Sequence, residues 1–391
     1  MDKIILKVTW YLLFVSLPVF CYCQTSNTKN SNIIDTTQFA SSQGHWYGIK
    51  DNSNIINPRP GQLKYRAVEA AKIADNILLY QRNNGGWPKN YDMQAILTDD
   101  QKDSLIRTKD DTRTTFDNTT TYSQIEYLAK VYTATKIEKY KIACLKGIDF
   151  ILSAQYPNGG WPQYFPLQDN YSRRITFNDD AFLGIMNVLK DILDNKDFYA
   201  FVDVERRHKI KLSFDNGLNC ILNLQIKDNG NLTAWAQQYD EIDLSPAWAR
   251  AFEPPAISNG ESAGIVLFLM NIDNPTERIK NAIESAVEWF KSSKIEGIRI
   301  KTIEAPELKS QWKTFNYDRI AVVDSTAPPI WTRYYELGTH KPLFCDRNSK
   351  YLYSLAEVSR ERRSGYSWYL YSPQKVLDKY PVWKAGLLST K

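Results

Sequence analysis

Gln81-Arg82-Asn83-Asn84-Gly85-Gly86-Trp87-Pro88 recurs as Gln155-Tyr156-Pro157-Asn158-Gly159-Gly160-Trp161-Pro162, 74 residues later (155 − 81). A degenerate third copy runs from Gln225 to Gly230 with Trp235 behind it, a further 70 on (225 − 155). The motif ends a helix, because glycine suits the left-handed cap and proline forbids continuation. A second element keeps step with it. Thr115-Phe116-Asp117-Asn118 opens the next helix, as do Thr176-Phe177-Asn178-Asp179 and Ile257-Ser258-Asn259-Gly260-Glu261. The unit is helix, Gly-Gly-Trp-Pro turn, long loop and capped helix, about three times over. Helix pairs repeated at this period cannot bury their faces singly and must stack on neighbours. Three pairs curled into a ring predict an all-α fold, an (α/α)3 toroid with long irregular loops and minor β content. An open α-solenoid is the competing arrangement. In either case the Gly-Gly-Trp-Pro loops and the Asp/Asn helix starts share one end, where a site is expected.

Outward from the motif, the helices are read from spacing. Ala70, Ile73, Ala74 and Ile77 form one face at i, i+3, i+4, i+7, and so do Ile125, Leu128, Ala129 and Tyr132. Ile185, Val188, Leu189 and Ile192 repeat the spacing, as do Ile283, Ala286, Val287 and Phe290. Ala263–Met270 is apolar nearly all round, which predicts a helix buried on every side. The best strand alternation is Gly297 to Ile303, and Arg319 to Val323 is too short to assign. The loops 161–178 and 235–258 exceed the usual ~12–15 residues, as functional loops often do.

The 391 residues carry Lys+Arg 49 against Asp+Glu 44, a formal charge of +5. That is too mild a balance for a nucleic-acid protein, so no nucleic-acid partner is expected. Three histidines, with no HExxH and no CxxC, give little support to a zinc site or a Ser-His-Asp enzyme. At the N-terminus Lys3 and Lys7 precede an apolar run from Val8 to Cys23, sixteen residues (23 − 8 + 1). This is short for a span of ~20 residues and suits a cleaved signal peptide, 1–23. A polar linker, 24–58, and one domain, 59–391, follow. The mature chain is expected to be a secreted or periplasmic monomer without a membrane span; bulky Phe20 and Tyr22 argue against a lipoprotein. Cys144, Cys220 and Cys345 then remain, enough for one disulfide at most, with Cys144 read as buried and inert.

Asp117, Asn118 and Asp179 stand at helix starts on the site end. One such residue would be an ordinary N-cap. Together they offer more oxygens than two caps require, and hard oxygen clusters suit Ca²⁺; Asp180 competes with Asp179 for the second place. Downstream, Arg250, Arg319, Arg333 and Arg347 lie in aromatic and proline-rich sequence. A planar guanidinium recognises carboxylates in bidentate fashion, and an acidic polysaccharide would need several along a groove. Arg173-Arg174 and Glu361-Arg362-Arg363 read as surface or ion-paired arginines. Asp99-Asp100-Gln101-Lys102-Asp103 matches a prenyl-transfer pattern, but its flanks and the export signal favour a polar turn.

Taken in order, these blocks resemble the family 10 polysaccharide lyases, which are pectate lyases. The matching blocks are NNGGWPKNYDM at 83–93, TFDN at 115–118, NGGWPQYFP at 158–166 and TFNDDAF at 176–182. They continue with AWARAFEPPAIS at 247–258, DRIAVVDSTAPPIWTRYYE at 318–336, FCDRNSK at 344–350 and RRSGYSWY at 362–369. The resemblance covers about 60 to 391. It implies an (α/α)3 toroid, β-elimination of α-1,4-polygalacturonate (pectate) as substrate, and dependence on Ca²⁺. It further implies that Asp117, Asn118 and Asp179 belong to the metal cluster and that Arg250 is the base. Arg319 and Arg333, with Arg347 the weakest match, would hold substrate carboxylates. Neighbouring positive charge from Ca²⁺, Arg319 and Arg333 is expected to lower the pKa of that base. Two rivals remain: a glycoside hydrolase using Asp179-Asp180 or Glu253, and a silent glycan-binding protein.

Overall fold

The computed structural model describes residues 33–48, 54–311 and 313–389. The helices are α1 (Ala40–Gly48), α2 (Ala70–Tyr80), α3 (Asp99–Arg107), α4 (Tyr122–Thr135), α5 (Glu138–Ser153), α6 (Ala181–Leu193), α7 (Val204–Asn223), α8 (Asn259–Leu269), α9 (Glu277–Ser293), α10 (Arg360–Gly365) and α11 (Ser372–Ser389). Each predicted apolar face falls on a helix that buries it: Ile73, Ala74 and Ile77 on α2, Ile125, Leu128 and Ala129 on α4, Ile185, Val188 and Leu189 on α6, and Ile283, Ala286 and Val287 on α9. α8 buries residues on every side, as its lack of a polar stripe requires.

The repeat is a packing device, and its atoms account for its letters. In all three copies the glutamine donates twice from Nε2, once across its own turn and once to the outer helix of the next pair. Gln81 reaches Gly85 O and Ala143 O, both at 2.9 Å. Gln155 reaches Gly159 O at 3.0 Å and Ser213 O at 2.9 Å. Gln225 reaches Thr233 O and Ala282 O, both at 2.9 Å. The tryptophans Trp87, Trp161 and Trp235 are fully buried and donate back to Ile77 O, Ile151 O and Ile221 O at 2.8, 2.9 and 2.8 Å. Gly85 and Gly159 stand at φ 101° and 92°, where a side chain would also meet the Lys146 and Asn216 carbonyls of α5 and α7. No other residue fits.

Stacking follows from these ties. α4 pairs with α5, α6 with α7 and α8 with α9, while α2, α4, α6 and α8 pack in succession. The row ends with α11 laid on α8 and α9.

The expected all-α, (α/α)3 toroid is corrected on this evidence of strands. Five small sheets are described, among them a four-stranded one ordered Tyr351–Leu352, Pro342–Cys345, Tyr334–Tyr335, Ile257–Ser258. The largest is a hairpin of Ile298–Lys309 and Thr314–Val323, paired antiparallel from Ile298↔Val323 to Lys309↔Thr314. Its alternation is muted in sequence because much of both faces meets solvent. Most of the other strands are two residues long, too short for any period to register. Residues 161–178 and 235–258 likewise carry short strands, Ile175–Thr176 pairing with Gln238–Tyr239.

The signal peptide expected at 1–23 lies outside the described residues. The stretch read as a polar linker differs from that reading where it is described: α1 buries Trp46, and Ile34, Phe39 and Ile56 join the main core. Isolated aromatics among Ser, Asn and Gln give no period, so sequence could not flag them. Cys144, Cys220 and Cys345 are all free and buried. Asp99 and Asp100 occupy the first turn of α3 behind a Thr98–Gln101 capping box. Among the described residues no helix is long and apolar enough to cross a membrane.

Candidate active site

The acidic residues are not helix caps. The N-cap position of α4 is Thr121 and that of α6 is Asp180, and neither side chain makes a cap hydrogen bond. The chain instead enters both helices through left-handed turns at non-glycine residues: Asn118 (φ 51°), Thr119 (61°) and Thr121 (72°) before α4, Asp179 (51°) and Asp180 (58°) before α6. Such backbone costs energy and collects at functional sites. The turns bring Asp117, Asn118, Asn178 and Asp179 to a cleft of about 690 Å³. Asp180 does not line it. Burial and Glu261 raise the Asp180 carboxyl above its usual range. Between the two candidates left open by sequence, Asp179 is the one in the cleft.

Asp117 is buried, 3% exposed, not at an open rim. Its Oδ2 is ion-paired with Lys89, while Oδ1 is buried with no hydrogen-bond partner. Burial alone would raise this carboxyl, but Lys89 outweighs it and holds Asp117 below its usual range. Asp179 goes the other way: burial first, then the Asp117 carboxylate beside it, raise its pKa. Asn178 donates to Asp179 Oδ2 at 2.7 Å, and Asn118 to Asn90 Oδ1 at 3.0 Å. Two mutually repelling carboxylates, one with an unpartnered buried oxygen, suit a cation whose remaining ligands are amides, water or substrate. No group of three His, Cys, Asp or Glu is found among the described residues, so the protein alone supplies few charged ligands.

Arg250, Arg319 and Arg347 line the same cleft; Arg333 does not, but reaches the lining residue Asn178. Arg250 is held by Glu253, with Nε to Oε2 at 2.8 Å and Nη2 to Oε1 at 2.5 Å. Glu253 is 1% exposed and also accepts from Tyr366 at 3.0 Å and Gln237 at 3.3 Å. Burial disfavours the Arg250 charge, but the Glu253 carboxylate outweighs it and lifts the pKa above the ordinary arginine range. The charge that dominates Arg250 among the protein's own groups is thus negative, rather than the Arg319 and Arg333 cations expected from sequence. Arg333 bonds Glu261 Oε1 at 3.1 Å and Asn178 Oδ1 at 3.5 Å. Arg347 is bidentate on Glu361 at 2.9 and 3.1 Å. The guanidinium groups of Arg250, Arg347 and Arg362 lie 4.9, 5.4 and 4.6 Å from the Phe252 ring centroid, within cation–π range. Arg319 differs. Its side chain makes one described hydrogen bond, to Tyr366 O at 3.2 Å, and no described carboxylate pairs with the guanidinium. It is the cleft arginine whose charge stands ready for an anion.

A cleft lined by a carboxylate pair and by several guanidinium groups suits an acidic polymer. The pectic acid lyase family profile matches residues 81–377. The chain belongs to the pectic acid lyase family. It is an enzyme, a lyase acting on pectate. Two solved structures of a family 10 polysaccharide lyase from Cellvibrio cellulosa are similar to it, each at 30% identity over 79% of this chain. One, an aspartate-to-alanine variant in complex with trigalacturonic acid, has a TM-score of 0.68 and is covered over 91% of its length. The other has a TM-score of 0.67 and is covered over 90%. The comparison with curated proteins gives no match.

This lyase also places residues in the cleft that sequence reading passed over. The residue two after each repeat tryptophan, Lys89, Gln163 and Gln237, lines the cleft in all three copies. The repeat itself held that signal: three equivalent positions, all polar, directly behind buried anchors. Tyr171 comes from a short 3-10 turn and had no signal, while Tyr366 lies in the RRSGYSWY block but was not singled out. Lys313, Phe315 and Tyr317 of the hairpin line the same cleft. Arg362, read as a surface or ion-paired arginine, is ion-paired with Glu361 and buried in the cleft lining.

Proposed function

We propose that the chain is an exported, calcium-assisted pectate lyase that cleaves α-1,4-polygalacturonate by β-elimination and works as a monomer. The observation that carries the reading is the Asp117–Asp179 carboxylate pair, with its unpartnered oxygen, in the same cleft as Arg250, Arg319 and Arg347. Asp117, Asn118 and Asp179 would hold Ca²⁺. Bound there, the ion supplies Lewis-acid neutralisation of a uronate carboxylate, which acidifies the neighbouring C5 proton. Arg319 and Arg333 hold substrate carboxylates and stabilise charge as the proton leaves. Arg347, steadied by Glu361, extends the row.

Arg250 is the base in this reading, and the guanidinium takes the C5 proton. It can do so only when neutral, so the substrate complex has to loosen the Glu253 pair. Arg250→Ala is expected to lower kcat by ~10²-fold or more with KM little changed; a raised KM with kcat intact would make it a carboxylate clamp instead. The reaction itself is tested on polygalacturonate by ultraviolet absorbance of the C4–C5 double bond, with and without chelator. Product that forms without absorbance would mean hydrolysis, and retention without product would mean a binding protein. Export is supported by the basic start and the apolar run from Val8 to Cys23. N-terminal sequencing of the released protein checks it.

A further inference from the structure

Helix α1 lies outside the 81–377 span that matches the family, yet it walls the cleft. It is clamped to the loops that carry the acidic site. Ser42 Oγ and the Tyr91 backbone exchange hydrogen bonds at 3.1 Å, and Tyr47 donates to Asp92 Oδ2 at 3.0 Å. Thr119, next to Asn118, donates to Gln38 O at 2.8 Å. Buried Trp46 anchors the far side of the helix through Ile56 O at 2.9 Å. What remains turned to the cleft is Ser41 and His45.

The imidazole is oriented. His45 Nδ1 lies 2.9 Å from Ser41 O, and a carbonyl only accepts, so Nδ1 carries hydrogen in this pair. Nε2 has no hydrogen-bond partner among the described residues, and neither has the Ser41 hydroxyl. A fixed imidazole edge and a hydroxyl, in a wall shared with Asn90 and Asn118, make a polar surface without a carboxylate. That composition repels no anion and offers hydrogen bonds of both kinds, which suits a sugar acid.

We propose that Ser41 and His45 form an additional sugar-binding subsite, taking a hydroxyl or carboxylate of the galacturonosyl residue next to the one held at Asp117 and Asp179. The proposal rests on the pectate reading above. It makes α1 a determinant of substrate length rather than part of a linker.

The test compares trigalacturonate with polygalacturonate in calcium-containing buffer, following absorbance of the unsaturated product. His45→Ala is expected to raise KM for trigalacturonate about threefold to tenfold, the worth of one hydrogen bond, with kcat within about twofold. The long polymer, held at more positions, loses less. His45→Gln keeps a hydrogen-bonding end and restores most of the loss. An active wild type whose two KM values are unmoved by His45→Ala and by Ser41→Ala would overturn the subsite alone. A fall in kcat without a change in KM would also overturn it, since α1 would then act only by positioning its neighbours. A wild type that yields no absorbing product from either substrate would sink the pectate reading and the uronate subsite together.

Discussion

Replacing Glu253 by Gln isolates the charge that opposes a basic Arg250. The substitution keeps the side-chain volume and leaves an oxygen for Tyr366 and Arg250 to donate to. It removes one negative charge that touches the guanidinium at 2.8 and 2.5 Å. For charge centres about 4 Å apart, an effective dielectric near 20 gives about 4 kcal/mol. The Arg250 side chain is 47% exposed, so water screens much of this, leaving roughly 1–2 kcal/mol. At 1.36 kcal/mol per unit, that is about one pKa unit. In Glu253→Gln the alkaline rise of kcat/KM should therefore move about one unit to lower pH, followed by product absorbance across buffers of constant ionic strength. Arg250→Lys should displace or abolish the same limb. A profile that stays in place in Glu253→Gln, with the melting temperature preserved, would refute Arg250 as the titrating base.

Three further outcomes are expected. Asp179→Asn removes the repulsion with Asp117, so without Ca²⁺ the variant should melt slightly higher than wild type, by the equivalent of ~1 kcal/mol, while losing the rise that Ca²⁺ gives the wild type; a thermal melt with and without chelator reads both. Gly159→Ala forces a side chain at φ 92° against the Asn216 carbonyl and should cost ~2–4 kcal/mol in urea unfolding, far above the ±0.5 kcal/mol of an ordinary surface change. Glu361 is raised by burial, but its bonds to Arg362 and Arg347 outweigh this and hold its pKa at about 2. A depressed carboxyl stabilises the fold above its unfolded pKa and loses that contribution as pH falls through the folded one. Up to about 3 kcal/mol should thus separate wild type from Glu361→Gln at neutral pH and vanish between about pH 4.5 and 2; denaturant melts across that window would show otherwise if Arg347 and Arg362 find other partners.

Much was legible in the chain because it is local. The 3.6-residue spacing placed α2, α4, α6 and α9, an apolar run placed α8, and the repeated Gln, Gly and Trp marked where each helix pair ends. Those letters are fixed by short-range needs: a positive φ, a buried indole seeking a carbonyl, an amide bridging its own turn. The repeat also implied that the acidic starts share one end, and Asp117, Asn118 and Asp179 do line one cleft. Tertiary structure alone decided the rest. Which partner each arginine meets depends on chain far away, as with Arg333 on Glu261 and Arg347 on Glu361. The hairpin that turns an all-α reading into a mixed fold was legible only at Gly297 to Ile303, where alternation marks the start of its first strand; the pairing with Thr314–Val323 was decided by backbone hydrogen bonds that leave a period only where one face is buried. The partner of Arg250 is local, since Glu253 stands three residues along the chain; what the tertiary structure decided is the burial of that carboxylate, where Tyr366 and Gln237, both from distant chain, donate to it as well.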